Sequence, residues 1–184
     1  MLPDLKLLYK VISWHQTQRD HKPGESVGIF VTIPSNLAKQ FPDDGKEEED
    51  SSPPHITVLF VGDMPLQLED KLKKTVKSVC DQFKPFVAKI AKPRKFVNDK
   101  NQTIIHSPIK SKKLHKFHDE LKKQLLKNQI PVDSKFPEYK PHITIEYIEK
   151  GENPKYDDIV PEGEWQIDSV WIWGLSEPFW MTLK

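Results

Sequence analysis

The sequence predicts an α+β fold of two related halves, each carrying one copy of the same strand. Three observations carry this. The pentapeptide Pro54-His55-Ile56-Thr57-Val58 returns as Pro141-His142-Ile143-Thr144-Ile145, so that from His55 to His142 is 87 residues in a chain of 184, close to half its length and the mark of an internal duplication. Short β-branched and aromatic runs alternate with the period of two that strands require. Two longer segments carry apolar residues at helical spacing. Read along the chain, the order is β-α-β-α-β-β-α-β-β-β.

Each element has its own signal. Residues 1–26 form an N-terminal arm in which Leu5, Leu7, Leu8, Val11 and Ile12 make a short helix or strand, Trp14 anchors, and His15 and His21 face solvent. Gly28–Ile33 is a strand stopped by Pro34, and Ser35 caps a short helix running to Phe41. Residues 42–53 are acidic with no apolar side chain, a solvated loop feeding the first motif strand, His55–Val61. In that strand Ile56, Val58 and Phe60 alternate with His55, Thr57 and Leu59.

Pro65 suits a first helical position. Leu68, Leu72, Val76, Val79, Cys80 and Phe83 then form one helical stripe, which makes Cys80 a core residue and not a nucleophile. Pro85 ends this helix. Phe86–Ile90 and Lys95–Val97 read as one strand interrupted at Pro93, and a turn at 98–101 leads to strand Gln102–Ile109, where His106 shares a face with Ile104. Ser111 caps a helix with the stripe Leu114, Phe117, Leu121 and Leu125. His115 and His118, three apart on that helix, have a metal-compatible spacing, but no carboxylate or Cys cluster accompanies them and no metal site is assigned. After a Pro-containing connection at 131–140 come the second motif strand, His142–Ile148, a loop at 151–163, and a terminal pair of strands, Trp165–Leu175 and Phe179–Leu183, turning at Ser176-Glu177-Pro178.

Composition narrows the function. A mass of 21.5 kDa suits one domain over residues 1–184, with pseudo-repeat lobes at roughly 27–97 and 98–184 after the arm. A formal net charge of +1 argues against a protein that coats nucleic acid. The single Cys80 allows no internal disulfide and suits a reducing compartment. Neither a signal peptide nor a membrane span is apparent, so a cytoplasmic protein with no membrane association is expected. Charge is uneven: residues 84–128 hold 13 Lys/Arg against 3 Asp/Glu, a net of +10, and residues 42–70 hold 9 Asp/Glu against 1 Lys, a net of −8. Lys89, Lys92, Arg94 and Lys95 are placed to meet a phosphate backbone. Trp171 and Trp173 share a strand face, where packing is favoured over stacking a base.

The motif itself points to proton chemistry. On a strand, His and Thr two apart project to one face and the intervening Ile to the other. Imidazole gives or takes a proton near neutrality, and a hydroxyl binds an anionic oxygen. Two such pairs facing each other supply a base, an acid and two phosphate-holding hydroxyls, which is what cleavage of a phosphodiester without a metal requires.

The paired His-x-Thr strands resemble the 2H phosphoesterase superfamily, which includes 2′-5′ RNA ligase-like proteins and cyclic phosphodiesterases. The resemblance runs from about Val27 to the C-terminus. It implies a duplicated two-lobe fold with antiparallel sheets around a central cleft and helices outside. It implies His55 and His142 as the catalytic pair, Thr57 and Thr144 as phosphate ligands, and no cofactor. The implied substrate is a nucleotide or short oligonucleotide that is 2′,5′-linked, cyclic, or ended by a 2′,3′-cyclic phosphate. Family members of phage and viruses that degrade nucleotide immune signals extend the resemblance to anti-defence; no obligate protein partner is implied. The alternative from another class is a non-catalytic nucleotide- or RNA-binding module on the same fold; the intact His and Thr of both motifs argue against it.

Overall fold

The computed structural model describes residues 22–42, 53–98, 100–135 and 138–184. The expectations for the arm before Lys22 (with Trp14, His15 and His21), for the acidic run Asp43–Ser52 and for Asp99 in the following turn lie outside the described residues. Nine strands and three α-helices follow in order among them: β1 Val27–Thr32, α1 Ser35–Ala38, β2 His55–Gly62, α2 Glu69–Cys80, β3 Phe86–Ile90, β4 Arg94–Val97, β5 Thr103–Lys110, α3 Lys112–Lys127, β6 His142–Ile148, β7 Glu164–Ile167, β8 Ser169–Trp173 and β9 Phe179–Thr182. The fold is α+β with antiparallel sheets.

A four-stranded sheet has the order β2-β1-β8-β9. In a five-stranded sheet β5 is flanked by β6 and by β4 and β3, with β7 beyond β3. One apolar core serves both sheets and both long helices. Val27, Ile29 and Val31 of β1, Val170 and Ile172 of β8, Ile105 and Ile109 of β5, and the stripes Leu72-Val76-Val79 and Leu114-Phe117-Leu121-Leu125 all belong to it. The two helices meet where Phe83 packs edge-on to Phe117, ring centres 5.1 Å apart. Burial of this kind is the dominant stabilising term in the fold. Cys80 lies within the stripe, and burial pushes its thiol up to about 12, so it is no nucleophile at neutral pH.

Several sequence expectations are corrected. Ser35 is the first residue of α1, with Pro34 as the N-cap, and the helix ends at Ala38. The segment 86–97 is two strands, because Pro93 has no N–H to continue the ladder. The segment 165–175 is also two strands. It breaks at Asp168 and passes from the five-stranded to the four-stranded sheet, with β7 paired to β3 and β8 paired to β1 and β9.

The expected alternation on β2 fails after Val58. The ladder to β1 matches Phe30 with Thr57 but Ile29 with Leu59, leaving Val58 as the extra residue of a β-bulge. Leu59 is therefore buried and Phe60 half-exposed. β6 bulges at the matching residue: Ile105 of β5 meets Glu146 and His106 meets Thr144, leaving Ile145 over. Ile56, Val58 and Val61 on one strand thus answer Ile143, Ile145 and Ile148 on the other, all buried.

Candidate active site

The duplicated motif strands predict a matched position in each sheet half, and a natural expectation is the centre of each. Instead β2 and β6 are edge strands, and they lie beside each other with Cα atoms within 8 Å. The matched bulges on β2 and β6 and their shared edge position are what an internal duplication about a two-fold axis would produce. Two related strands can serve one substrate group only if both border the axis, so each is the innermost strand of its sheet. Pro54 and Pro141, lacking an N–H, suit the entry to an edge strand.

His55 and His142 are held by the same device. Nδ1–H of His55 donates to the Pro53 carbonyl at 2.9 Å, and Nδ1–H of His142 donates to the Lys140 carbonyl at 2.8 Å. Each bond reaches back two residues and fixes the tautomer, so the neutral ring carries its lone pair on Nε2. Thr57 and Thr144 follow on the same strand faces, the first exposed and the second half-buried. Burial lowers the pKa of His55; the Pro53 carbonyl offsets part of this, and the nearby positive charge of a protonated His142 adds to it.

Around each motif the neighbouring strand supplies one ring. Phe30, opposite Thr57, lies 5.2 Å from the His55 ring centre to centre. His106, opposite Thr144, lies 5.2 Å from the His142 ring. The duplication thus equates Phe30 with His106, and β1-α1-β2 with β5-α3-β6. Phe96 completes the second group at 5.0 Å from His106 and 6.0 Å from His142. Burial foremost, then the charges of His142 and Arg94, lower the His106 pKa, against an upward contribution from the Ile104 and Arg94 backbones. Its buried Nδ1 has no hydrogen-bond partner of acceptable geometry among the described residues.

The two walls differ in chemistry. On the four-stranded sheet the register row Thr57–Phe30–Trp171–Trp180 is aromatic beyond the motif, and Phe30, Trp171 and Trp173 form a second apolar cluster. Trp171 and Trp173 are buried; Trp180 is half-exposed. On the five-stranded sheet the row Thr144–His106–Arg94 turns basic. Arg94 is opposite His106, whereas Lys95 is opposite Ile105, whose side chain is in the core. Strand alternation therefore puts Lys95 on the other face, away from the motif, contrary to its grouping with Arg94 in the sequence. His115 and His118 flank Tyr139, with His118 stacked on its ring at 4.0 Å and bonded to Asp119.

The sequence singles out His55, Thr57, His142 and Thr144, and the structure gathers both pairs onto two adjoining strands. The sequence reading does not single out Phe30 or Phe96, and it places His106 only on the Ile104 face of its strand. Sequence spacing gives no direct signal for the match of Phe30 with His106, since α1 has 4 residues and its counterpart α3 has 16.

A family model described as the 2′-5′ RNA ligase superfamily matches residues 38–177. Three solved structures share the fold. TT0787 of Thermus thermophilus is 14% identical with a TM-score of 0.62, over 86% of this chain and 95% of that one. LigT of E. coli, solved in complex with 3′-AMP, is 13% identical with a TM-score of 0.52, over 87% and 95%. The MHV ns2 PDE domain is 10% identical with a TM-score of 0.50, over 87% and 99%. No curated protein matches the chain at the sequence level.

Proposed function

The chain belongs to the 2′-5′ RNA ligase, or 2H phosphoesterase, superfamily, and from that premise we propose that it cleaves a nucleotide or short-oligonucleotide phosphodiester by two-histidine acid–base catalysis without a metal. The observation that carries the reading is the matched pair of Nδ1–carbonyl bonds, which set the same tautomer on His55 and His142 and put the basic lone pair of each neutral ring on Nε2. Burial favours the neutral form of His55, so His55 is the base and His142 the acid. Nε2 of His55 takes the proton of the attacking water or ribose hydroxyl as its oxygen bonds to phosphorus. The bond from phosphorus to the leaving oxygen breaks, and His142 delivers its proton to that oxygen. Each transfer is worth roughly 10²–10⁴-fold in rate. The hydroxyls of Thr57 and Thr144 donate to the non-bridging oxygens as their charge builds.

The nucleotide class is supported by the 3′-AMP complex of E. coli LigT together with the aromatic and basic walls flanking the motifs. The test is a substrate panel in EDTA: 2′,3′-cyclic mononucleotides, 2′,5′-oligoadenylate and cyclic oligonucleotides. Turnover of at least one, unaffected by the chelator, is expected. Turnover of 2′,5′-oligoadenylate or a cyclic oligonucleotide would tie the enzyme to removal of a nucleotide immune signal. Activity abolished by EDTA and restored by a divalent cation would replace this mechanism with a metal-assisted one.

A further inference from the structure

The basic wall continues into a groove of about 780 Å³ lined by Lys89, Lys92, Arg94 and Lys110, with Glu162 and Glu164 on its far side. Three lines of geometry join it to the motif. Arg94 is opposite His106, whose ring packs on His142. Lys110 is on β5 four residues beyond His106, on the same face by strand alternation, and opposite Lys89 of β3. Two strand spacings separate β6 from β4, about 10 Å. The floor is fixed, because Ile90 N–H donates to the Gly163 carbonyl at 2.9 Å and Ala91 N–H to the Pro108 carbonyl at 2.8 Å. The far wall is pinned by a reciprocal pair, Gln40 Nε2 to the Glu162 carbonyl at 2.9 Å and Glu162 N–H to Gln40 Oε1 at 2.8 Å.

The four cations are exposed, and none forms an ion pair among the described residues. Like charges at the directly opposed pair Lys89 and Lys110 are unfavourable in an empty sheet, and Glu164, opposite Lys89 on β7, offsets this only from the other side of Lys89. An anion between them would relieve that repulsion. The two glutamates reduce the net charge of the lining but sit beyond the lysines, on the side away from His142.

We propose that this groove binds the backbone phosphates next to the scissile one, so that the substrate is an oligonucleotide and not a mononucleotide. The inference rests on the phosphodiesterase reading for its scissile phosphate, and on the groove alone for the rest. A scissile phosphate between His55 and His142 places the following phosphates over His106 and Arg94 and then between Lys89 and Lys110. Lys92 closes the end.

The test compares a 2′,3′-cyclic mononucleotide with a tetranucleotide carrying the same terminus, as substrates of the wild type and of a Lys89→Ala/Lys92→Ala/Lys110→Ala variant. The ratio of tetranucleotide to mononucleotide kcat/KM is expected to fall at least tenfold in the variant. The slope of log affinity for the tetranucleotide against log salt should become shallower by about 2, near 0.7 for each of three contacts. Glu164→Gln should move the ratio the opposite way, a gain that misfolding cannot produce. An unchanged ratio and salt slope in the triple variant would overturn the proposal. Should the wild type hydrolyse neither of these nor any other member of the substrate panel, the phosphodiesterase reading fails, and anisotropy of a fluorescein-labelled tetranucleotide decides the groove by itself. Weaker, less salt-dependent binding to the triple variant supports it, and equal binding removes it.

Discussion

His55 and His142 differ less in how they are held than in what surrounds them. Both donate Nδ1–H to a carbonyl two residues back, but His55 packs on Phe30 while His142 packs on a third histidine, His106. With His55 as base, kcat/KM should fall as pH drops through its depressed pKa. The acid limb of the pH–rate profile should therefore lie below the ordinary imidazole value of 6.5. An acid limb above that value in the free enzyme would reverse the assignment of base and acid. Burial also foremost lowers the pKa of His106 and of His118. The unfolded chain thus binds protons near 6.5 that the native state takes up only at lower pH. Stability contributed by these neutral rings is full above 6.5 and is lost as pH falls through the native values. Replacing His106 by its pseudo-symmetric counterpart, as His106→Phe, removes one such group. The drop in Tm between about pH 7.5 and about pH 5.5 should be smaller in this variant than in the wild type, and thermal melts across that range check it.

At the scale of elements, the two His-x-Thr strands and both amphipathic helices were legible because their signals are local: a repeated pentapeptide, a period of 3.6, and a serine at position 111 whose Oγ accepts from Leu114 N–H. Non-local facts were not legible. Whether β2 and β6 are central or edge strands depends on which sheet β7 and β8 join, and that switch is made at the single residue Asp168, with no Gly or Pro to announce it. The bulges at Val58 and Ile145 are equally silent, since β-branched residues suit either register. Beyond the aromatic wall, Gly174 follows the last residue of β8 at φ +81°. A Cβ there would sit 2.8 Å from the Glu25 carbonyl oxygen and 2.9 Å from Val27 Cα. Gly174→Ala should therefore cost at least about 1–3 kcal/mol, read as a shift in the denaturation midpoint. A neutral outcome would mean that the close approach of β8 to the start of β1 is not kept in solution.

Across the whole molecule the organising fact is a repeated strand motif on two adjoining edge strands, with an aromatic wall on one side and a basic wall on the other. Ile56, Val58, Ile143 and Ile145 belong to the shared core, and strand alternation puts the His and Thr of each motif on the opposite face, so variants of the two histidines are expected to fold. On the proposed mechanism, Thr57→Ala and Thr144→Ala each remove one neutral donor to phosphate and leave the proton relay in place. Each should cost less than the loss of either histidine, measured as kcat/KM on one substrate. The central claim is that His55 and His142 act as one acid–base unit, and single-turnover rates in EDTA for His55→Ala, His142→Ala and the double variant test it most directly. Each single variant, folded as judged by its melt, should lose roughly 10²-fold or more, with the double variant little worse than either. Full activity in either single variant, or losses that multiply in the double, would contradict it.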